Sequence, residues 1–424
     1  MIVKNEESNI ERALSWAKGI VWEQIVVDTG STDQTAEIAE SMGAKVYHLE
    51  WADDFAAAKN FAISKAKGDW IAFLDADESF AAEDAAALAA FLEKIQDSDM
   101  EAVATAWMNL NEKGEIGNIA TQIRIFRNRP DLRYKRRIHE QLLADEGRRK
   151  LRVADATGAL TIIHTGYCGG ARARKRTDNR NLRLIRKELE ENPGSHEMLG
   201  YLGDEYNAMD CFEEAVRCYQ EAIEAMPAVL DERDLRSSAT FSYLLQLLSR
   251  GKAPDKEIVK IYQKAVSLLP GEADFDYFVG RNFAMKGQYD TAIQYLGLAL
   301  GKLEKFGTNN RSMMLQANLQ DAYEVLAICF FNQGNLQKAM EYSIAVLRYS
   351  LHSMTALVIL VKCFMGSAEI PRTPEDQAAD FLLRLYDRQS LKDRTILLAA
   401  ARENGWQTLE KELERLFTDA ETEK

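Results

Sequence analysis

The chain has 424 residues, 46% hydrophobic and 28% charged, with a net charge of −13. This predicts two or three domains with their own cores and argues against general nucleic-acid binding. No apolar run reaches the roughly 18 to 20 residues that span a bilayer, and Met1 to Glu7 lacks the apolar core of a signal peptide. Five scattered cysteines, Cys168, Cys211, Cys218, Cys329 and Cys363, suit reduced thiols in a cytoplasmic protein and show no zinc spacing. The charge is uneven: residues 124 to 187 hold 19 Lys/Arg against 6 Asp/Glu, a segment of +13 in a remainder of −26. Two basic knots, Arg133 with Lys135, Arg136 and Arg137, and Arg172 with Arg174, Lys175 and Arg176, read as a solvated face or as a seat for a local anionic partner. That partner would be a diphosphate, an acidic peptide or a membrane surface met peripherally.

In chain order, Met1 to Val3 reads as the end of a strand, either clipped or begun a few codons upstream. Ser8-x-x-Glu11 reads as a capping box before the apolar positions Ile10, Ala13, Leu14 and Ala17. Gln24 to Asp28 is a β-branched strand. Ser31-x-x-Gln34 caps a helix running to about Met42, closed by Gly43. Lys45 to Leu49 is predicted as strand, Phe55 to Lys65 as helix and Asp69 to Asp75 as strand. This βαβαβ order predicts an α/β fold with a parallel sheet and flanking helices. Ala102 to Met108, Gln122 to Phe126 and Leu160 to His164 add strands of a mixed sheet.

From Arg172 the pattern is helical almost to the end, and it repeats. Leu202-Gly203-x-x-Tyr206 with Ala215, Tyr219 and Pro227 follows the tetratricopeptide template. Val279-Gly280-x-x-Phe283 with Ala292 and Leu296 repeats it, as does Leu326-Ala327-x-x-Phe330 with Ala339 and Ser343. A degenerate copy runs through Tyr262, Ala265 and Pro270. Small residues let paired helices approach and aromatics fill the gaps between pairs. The expected organisation is a catalytic α/β domain over 1–170, a basic helical linker over 171–195 and a tetratricopeptide-like all-α domain over 196–424.

The chemistry gathers at strand ends. Trp70-Ile71-Ala72-Phe73-Leu74 stops at Asp75-Ala76-Asp77, which delivers carboxylates to the sheet edge where open α/β folds bind ligands. Two acids so close call for a cation, and oxygen ligands suit Mg²⁺ or Mn²⁺ with substrate phosphates. The plainer reading is that Asp77 and Ser79 cap the next helix. Asp28-Thr29-Gly30-Ser31-Thr32-Asp33 ends the second strand: Asp28 offers acceptors to a base or ribose, Gly30 admits close backbone approach, and Ser31 to Asp33 offer N–H groups. No Gly-x-Gly-x-x-Gly follows the first strand, which disfavours hydride transfer.

These blocks, together with Val3-Lys4-Asn5-Glu6-Glu7 and Asp54-Phe55 before Lys59-Asn60, resemble the family 2 glycosyltransferases of the GT-A fold. Arg124-Ile125-Phe126-Arg127, Ile138-His139-Glu140 and His164-Thr165-Gly166-Tyr167, followed by repeats, are similar to the narrower group of sublancin S-glycosyltransferases and lipopolysaccharide-core glucosyltransferases. Lys59 departs from the arginine usual in that group, keeping the charge without the bidentate contact. The resemblance implies that Asn5, Glu7 and Asp28, with Gly30 and Ser31, hold the nucleoside of a UDP-sugar. It implies that Lys59 lies at the donor site and that Asp77, with Asp75, brings Mg²⁺ or Mn²⁺ to the diphosphate. His164 would complete the metal shell or meet the leaving phosphate. Glu140, beside His139, would be the general base of an inverting hexose transfer, with Asp155 or an acceptor thiolate as alternatives. The acceptor would be a peptide side chain or a cell-envelope saccharide. The repeats would present it or form a homodimer. The competing expectation is a non-catalytic scaffold whose helical array does the binding.

Overall fold

In the computed structural model, which describes residues 1–166, 179–231, 234, 236–306, 313–367 and 370–422, the chain forms two compact units, Met1–Gly194 and Ser195–Lys424. The first opens with the predicted alternation. β1 (Ile2–Val3), β2 (Ile25–Asp28) and β3 (Lys45–His48) make a parallel sheet in that order, with Val3 opposite Asp28 and Asp28 opposite His48. α1 (Ile10–Ser15) and α2 (Thr35–Ser41) return the chain between strands. α3 (Phe55–Lys65) has the span its pattern predicts, and Asp54 caps it by accepting from the Ala57 N–H at 2.8 Å.

Two expected caps do not form. α1 starts after Asn9, whose side chain donates to the Glu6 carboxylate at 2.8 Å and does not cap the helix; Ser8 makes no cap. α2 starts at Thr35, later than Ser31 predicts, and the Ser31 hydroxyl donates to Asp28 at 2.5 Å. Its oxygen accepts from the Asn5 N–H at 2.9 Å and not from a helix N–H.

β4 (Trp70–Ala72) pairs antiparallel with β7 (Ile116–Arg127) in a second, mixed sheet. Its order is β4-β7-β6-β11-β5, where β5 is Glu78–Phe80, β6 is Ala102–Leu110 and β11 is Thr161–His164. β6 runs antiparallel to β7 and parallel to β11, and β10 (Val153–Asp155) pairs with the first part of β6. β8 (Leu132–Lys135) and β9 (Gln141–Ala144) form a separate antiparallel pair. Because Glu78 to Phe80 is strand and the next helix, α4 (Ala82–Lys94), follows Ala81, neither Asp77 nor Ser79 is a helix cap. Adjacent β7 residues bury opposite faces. Phe126 packs with Val27, Ala62 and Phe73, and Ile125 packs with Leu74, Val103 and Ile162. The Asp-Ala-Asp turn is anchored at its centre, since Ala76 shares a core with Val3, Ile10, Leu14 and Val26.

α5 (Arg180–Glu191) is fastened within the first unit. Arg183 and Lys187 both reach Asp53, at 2.8 and 2.5 Å, and Glu188 accepts from the Arg137 backbone N–H at 2.9 Å. Tyr167, Cys168 and the knot of Arg172, Arg174, Lys175 and Arg176 lie outside the described residues.

The second unit is helical throughout its described residues. Helices pair in succession: His196–Ala208 with Phe212–Ala225, Ala273–Met285 with Tyr289–Phe306, and Leu319–Asn332 with Leu336–Tyr349. The template positions do the packing expected of them. Gly203 faces the Tyr219 ring so closely that no Cβ fits, and a Cβ on Gly280 would lie 2.7 Å from Leu296 Cγ. Tyr219, Ala292, Leu296, Ala327, Ala339 and Ser343 are fully buried. Among the described residues no helix is long and apolar enough to cross a membrane.

Candidate functional site

The carboxyl ends of β1 and β2 carry the first group of candidate residues. Asn5 occupies the left-handed region at φ 55°, and its side-chain oxygen accepts from the Thr32 N–H at 2.8 Å. Its own N–H donates to the Ser31 hydroxyl oxygen at 2.9 Å. The Asp28 carboxylate accepts from the Ser31 N–H at 3.0 Å and lies 3.3 Å from His48 Nδ1. Glu7 accepts from the Gln34 N–H and donates its own N–H to Asp33, both at 3.2 Å. Asn5, Glu7, Asp28 and Ser31 therefore form one cross-linked turn. Gly30 at its apex has φ +102° and nothing within 4 Å of a Cβ position, so it bares backbone to the opening.

The second group lies at the Asp-Ala-Asp edge. Lys59 is 2% exposed. Its ammonium meets Glu140 Oε1 at 2.7 Å and Asp75 Oδ1 at 3.4 Å, over the rings of Phe73 and Tyr134. Burial opposes its charge, but Asp75 and Glu140 outweigh burial and hold the ammonium above the ordinary lysine value. The structure thus makes Lys59 a clamp on two carboxylates. Asp75 also meets Arg124 at 3.1 Å, and Arg124 reaches Glu78 at 2.5 Å. Burial raises Asp75, yet Lys59 and Arg124 prevail and keep it well below the usual carboxylate range. Burial pushes the Glu78 carboxyl up, with Asp75 adding to the effect against Arg124.

From Glu78 the chain of contacts continues to the second aspartate. Trp107 Nε1 donates to Glu78 at 2.8 Å, and the indole stacks on His164 with ring centres 4.5 Å apart. His164 Nε2 lies 3.3 Å from Asp77 Oδ2, while Nδ1 lies 2.6 Å from Asn109 Oδ1. Thr165 donates its N–H to the Asp77 carbonyl at 3.0 Å and its hydroxyl receives Arg12 at 2.6 Å, which ties α1 to this edge. Glu140, Lys59, Asp75, Asp77 and His164 thus belong to one continuous network. His139 contributes a backbone in the left-handed region, φ 51°, immediately before Glu140, with Arg136 at φ 80°; such conformations concentrate at functional loops.

Arg124, Glu78, Trp107 and Asn109 received no role from the sequence. Two signals existed. Arg124 opens one of the quoted blocks and Glu78 follows another, and Trp107 and Asn109 fall two apart on a strand and so share a face. A different cluster, His196, Glu197 and Asp234, brings ligand atoms within 4.8 Å in the second unit. There Asp234 accepts from the Ser237 N–H at 2.9 Å and the Arg236 N–H at 3.0 Å, and it pairs with His196 at 2.8 Å. That is the work of a helix-start acceptor.

The family model of glycosyl transferase family 2 matches residues 1–179. The chain is 36% identical over 211 residues to a TPR repeat-containing protein of Synechococcus elongatus, covering 48% of this chain and 50% of that protein. It is 24% identical over 282 residues to the SPbeta prophage-derived glycosyltransferase SunS of Bacillus subtilis, covering 66% of this chain and 64% of that one. An alignment with the crystal structure of PilW, a type IV pilus biogenesis factor, covers 54% of this chain and 93% of PilW at 16% identity and TM-score 0.37. The chain spans about half the length of the first of these relatives.

Proposed function

We propose that the protein is a metal-dependent, inverting glycosyltransferase that moves a hexose from UDP-glucose or a UDP-N-acetylhexosamine to a peptide side chain or a cell-envelope saccharide. The observation that carries this reading is the Asp77–His164 pair, 3.3 Å apart, beside Gly166. A Cβ on Gly166 would lie 2.5 Å from His164 Nε2 and collide with Asp77 Oδ2. The glycine lets its backbone pack directly against one oxygen and one nitrogen ligand, which a side chain there would displace. That donor set fits a divalent cation, and the nitrogen favours Mn²⁺ over the more strictly oxygen-seeking Mg²⁺. When bound, the cation would offset charge on the leaving diphosphate.

The chain's own residues would do the rest. Asn5, Glu7, Asp28, Gly30 and Ser31 hold the nucleoside at the β1 and β2 ends. Lys59 and Arg124 hold Asp75 ionised, and Lys59 holds Glu140 in place. Glu140, with Oε1 on Lys59, takes the acceptor's proton through Oε2 as the acceptor attacks the anomeric carbon. The reading places the protein in the cytoplasm with nucleotide sugars and gives the repeats acceptor handling or homodimer formation.

The test is Asp77→Asn. It keeps the shape and removes the charge, so Mn²⁺-dependent release of UDP from a UDP-sugar should fall on the order of 10²–10³-fold, with unchanged circular dichroism. Wild-type turnover in this variant, or wild-type turnover unaffected by EDTA, would sink the metal assignment.

A further inference from the structure

His164 can serve a cation only if the nitrogen facing Asp77 carries a lone pair, and the chain contains a residue placed to enforce that. We propose that Asn109 is a positioning residue of the cation site: it fixes the His164 tautomer so that Nε2 is presented, unprotonated, beside Asp77. This rests on the reading of the Asp77–His164 pair given above.

Asn109 and His164 are register partners on the parallel strands β6 and β11. Both are 7% exposed, and Asn109 Oδ1 lies 2.6 Å from His164 Nδ1. An amide oxygen can only accept, so Nδ1 carries the proton and donates. In the neutral ring Nε2 is then an acceptor, and it stands 3.3 Å from Asp77 Oδ2. A nitrogen lone pair and a carboxylate oxygen then stand side by side as a pair of donors to a cation. The ring plane is set independently by Trp107, stacked at an interplanar angle of 25° and itself tethered to Glu78. Rotation, plane and tautomer are all fixed, as expected of an imidazole that ligates a metal through one nitrogen and is oriented through the other. A protonated His164 paired with Asp77 would also satisfy these contacts. The two states differ in whether Nε2 carries a proton, and long-range ¹H–¹⁵N spectra read that directly.

The experiment uses the full chain with ¹⁵N-labelled histidine, of which there are five, His164 being assigned by its loss in His164→Gln. Long-range ¹H–¹⁵N spectra at pH 7.5 without metal should show His164 as the single Nδ1–H tautomer. Asn109→Leu should shift it toward Nε2–H and weaken Mn²⁺ binding, followed by electron paramagnetic resonance, by about 10–100-fold. Asn109→Asp, which still accepts from Nδ1, should keep both the tautomer and the affinity. Gly166→Ala should keep the tautomer and lose Mn²⁺. An imidazolium His164 in the wild type overturns the inference without any variant. Equal Mn²⁺ affinity in wild type and Asn109→Leu overturns it while leaving the cation site standing. A wild type that binds no Mn²⁺ overturns the site and the inference together.

Discussion

Buried charge is handled in two ways in this molecule. In the helical unit three acids each have a tyrosine and a cation of their own. Asp204 takes Tyr219 and Arg236, both at 2.7 Å. Asp276 takes Tyr262 at 2.7 Å and Lys302 at 2.6 Å, and Asp321 takes Tyr277 at 2.8 Å and Arg281 at 2.9 Å. These sets are local, closed and repeated along the array, and they offset the cost of burying charge between packed helices. At the Asp-Ala-Asp edge the cations are shared: Lys59 serves Asp75 and Glu140, and Arg124 serves Asp75 and Glu78. Left-handed residues other than glycine, Asn5, Arg136 and His139, stand in the loops around it. Burial of charge alone therefore does not mark a site; sharing, at an open strand edge beside strained loops, does.

Removing the central cation of each arrangement tests that distinction most severely. Lys59→Met leaves Glu140 without its cation and Asp75 with Arg124 alone, and Lys302→Met leaves Asp276 without its cation. Each should cost about 3–5 kcal/mol, roughly 6–20 °C of melting temperature for a unit of this size by calorimetry. Only Lys59→Met should also abolish UDP release below its melting temperature; equal turnover in the two variants would erase the difference. Glu140→Gln is milder in structure, because the amide still accepts from Lys59. Transfer to acceptor should fall on the order of 10²–10⁴-fold while the donor dissociation constant, by calorimetric titration, stays within about threefold. Appreciable transfer at neutral pH would move the base elsewhere.

Acid sensitivity should come from a third cluster. Glu101 is 1% exposed and is bound by Arg149 at 2.6 Å and by Arg129 and Arg152 at 3.0 Å. Burial raises its carboxyl, but the arginines prevail and hold it down to about 2. A carboxyl depressed by folding stabilises at pH values above its unfolded value of roughly 4.3 and loses that contribution as pH falls toward the folded one. Discounted for the part-exposed arginines, the loss is on the order of 2 kcal/mol. Urea unfolding of the wild type should weaken by that amount from pH 5 to pH 2.5 relative to Glu101→Gln, and parallel pH profiles would contradict it.

The smallest effect is a packing one. Gly280→Ala would set a Cβ 2.7 Å from Leu296 Cγ, whereas Gly297 has nothing within 4 Å. The first should cost about 1–2 kcal/mol by overpacking and the second should stabilise by up to about 1 kcal/mol through helix propensity. Denaturant midpoints of the two variants that move together would remove the helix-pair explanation of the repeats.

Local pattern was enough for much of this. Apolar periodicity placed α3 at Phe55–Lys65 and the parallel strands ending at Asp28 and His48 within a residue or two of their observed limits. Small and aromatic residues at template spacing identified the helix pairs, because packing between neighbours in a repeat depends on residues close in sequence. The Asp75-Ala76-Asp77 turn was legible because a strand end is a local event. What the sequence could not determine was partnership across long separations. Ser31 reads as a helix cap until Asp28 captures its hydroxyl, and Lys59 reads as a ligand contact until burial ties it to Glu140, 81 positions away. Asn109 and Trp107 look like ordinary strand residues, and only the parallel pairing of β6 with β11 sets them against His164. A side chain's role there is fixed by which acceptor or cation the folded chain brings within about 3 Å, and that distance is a property of the tertiary structure alone.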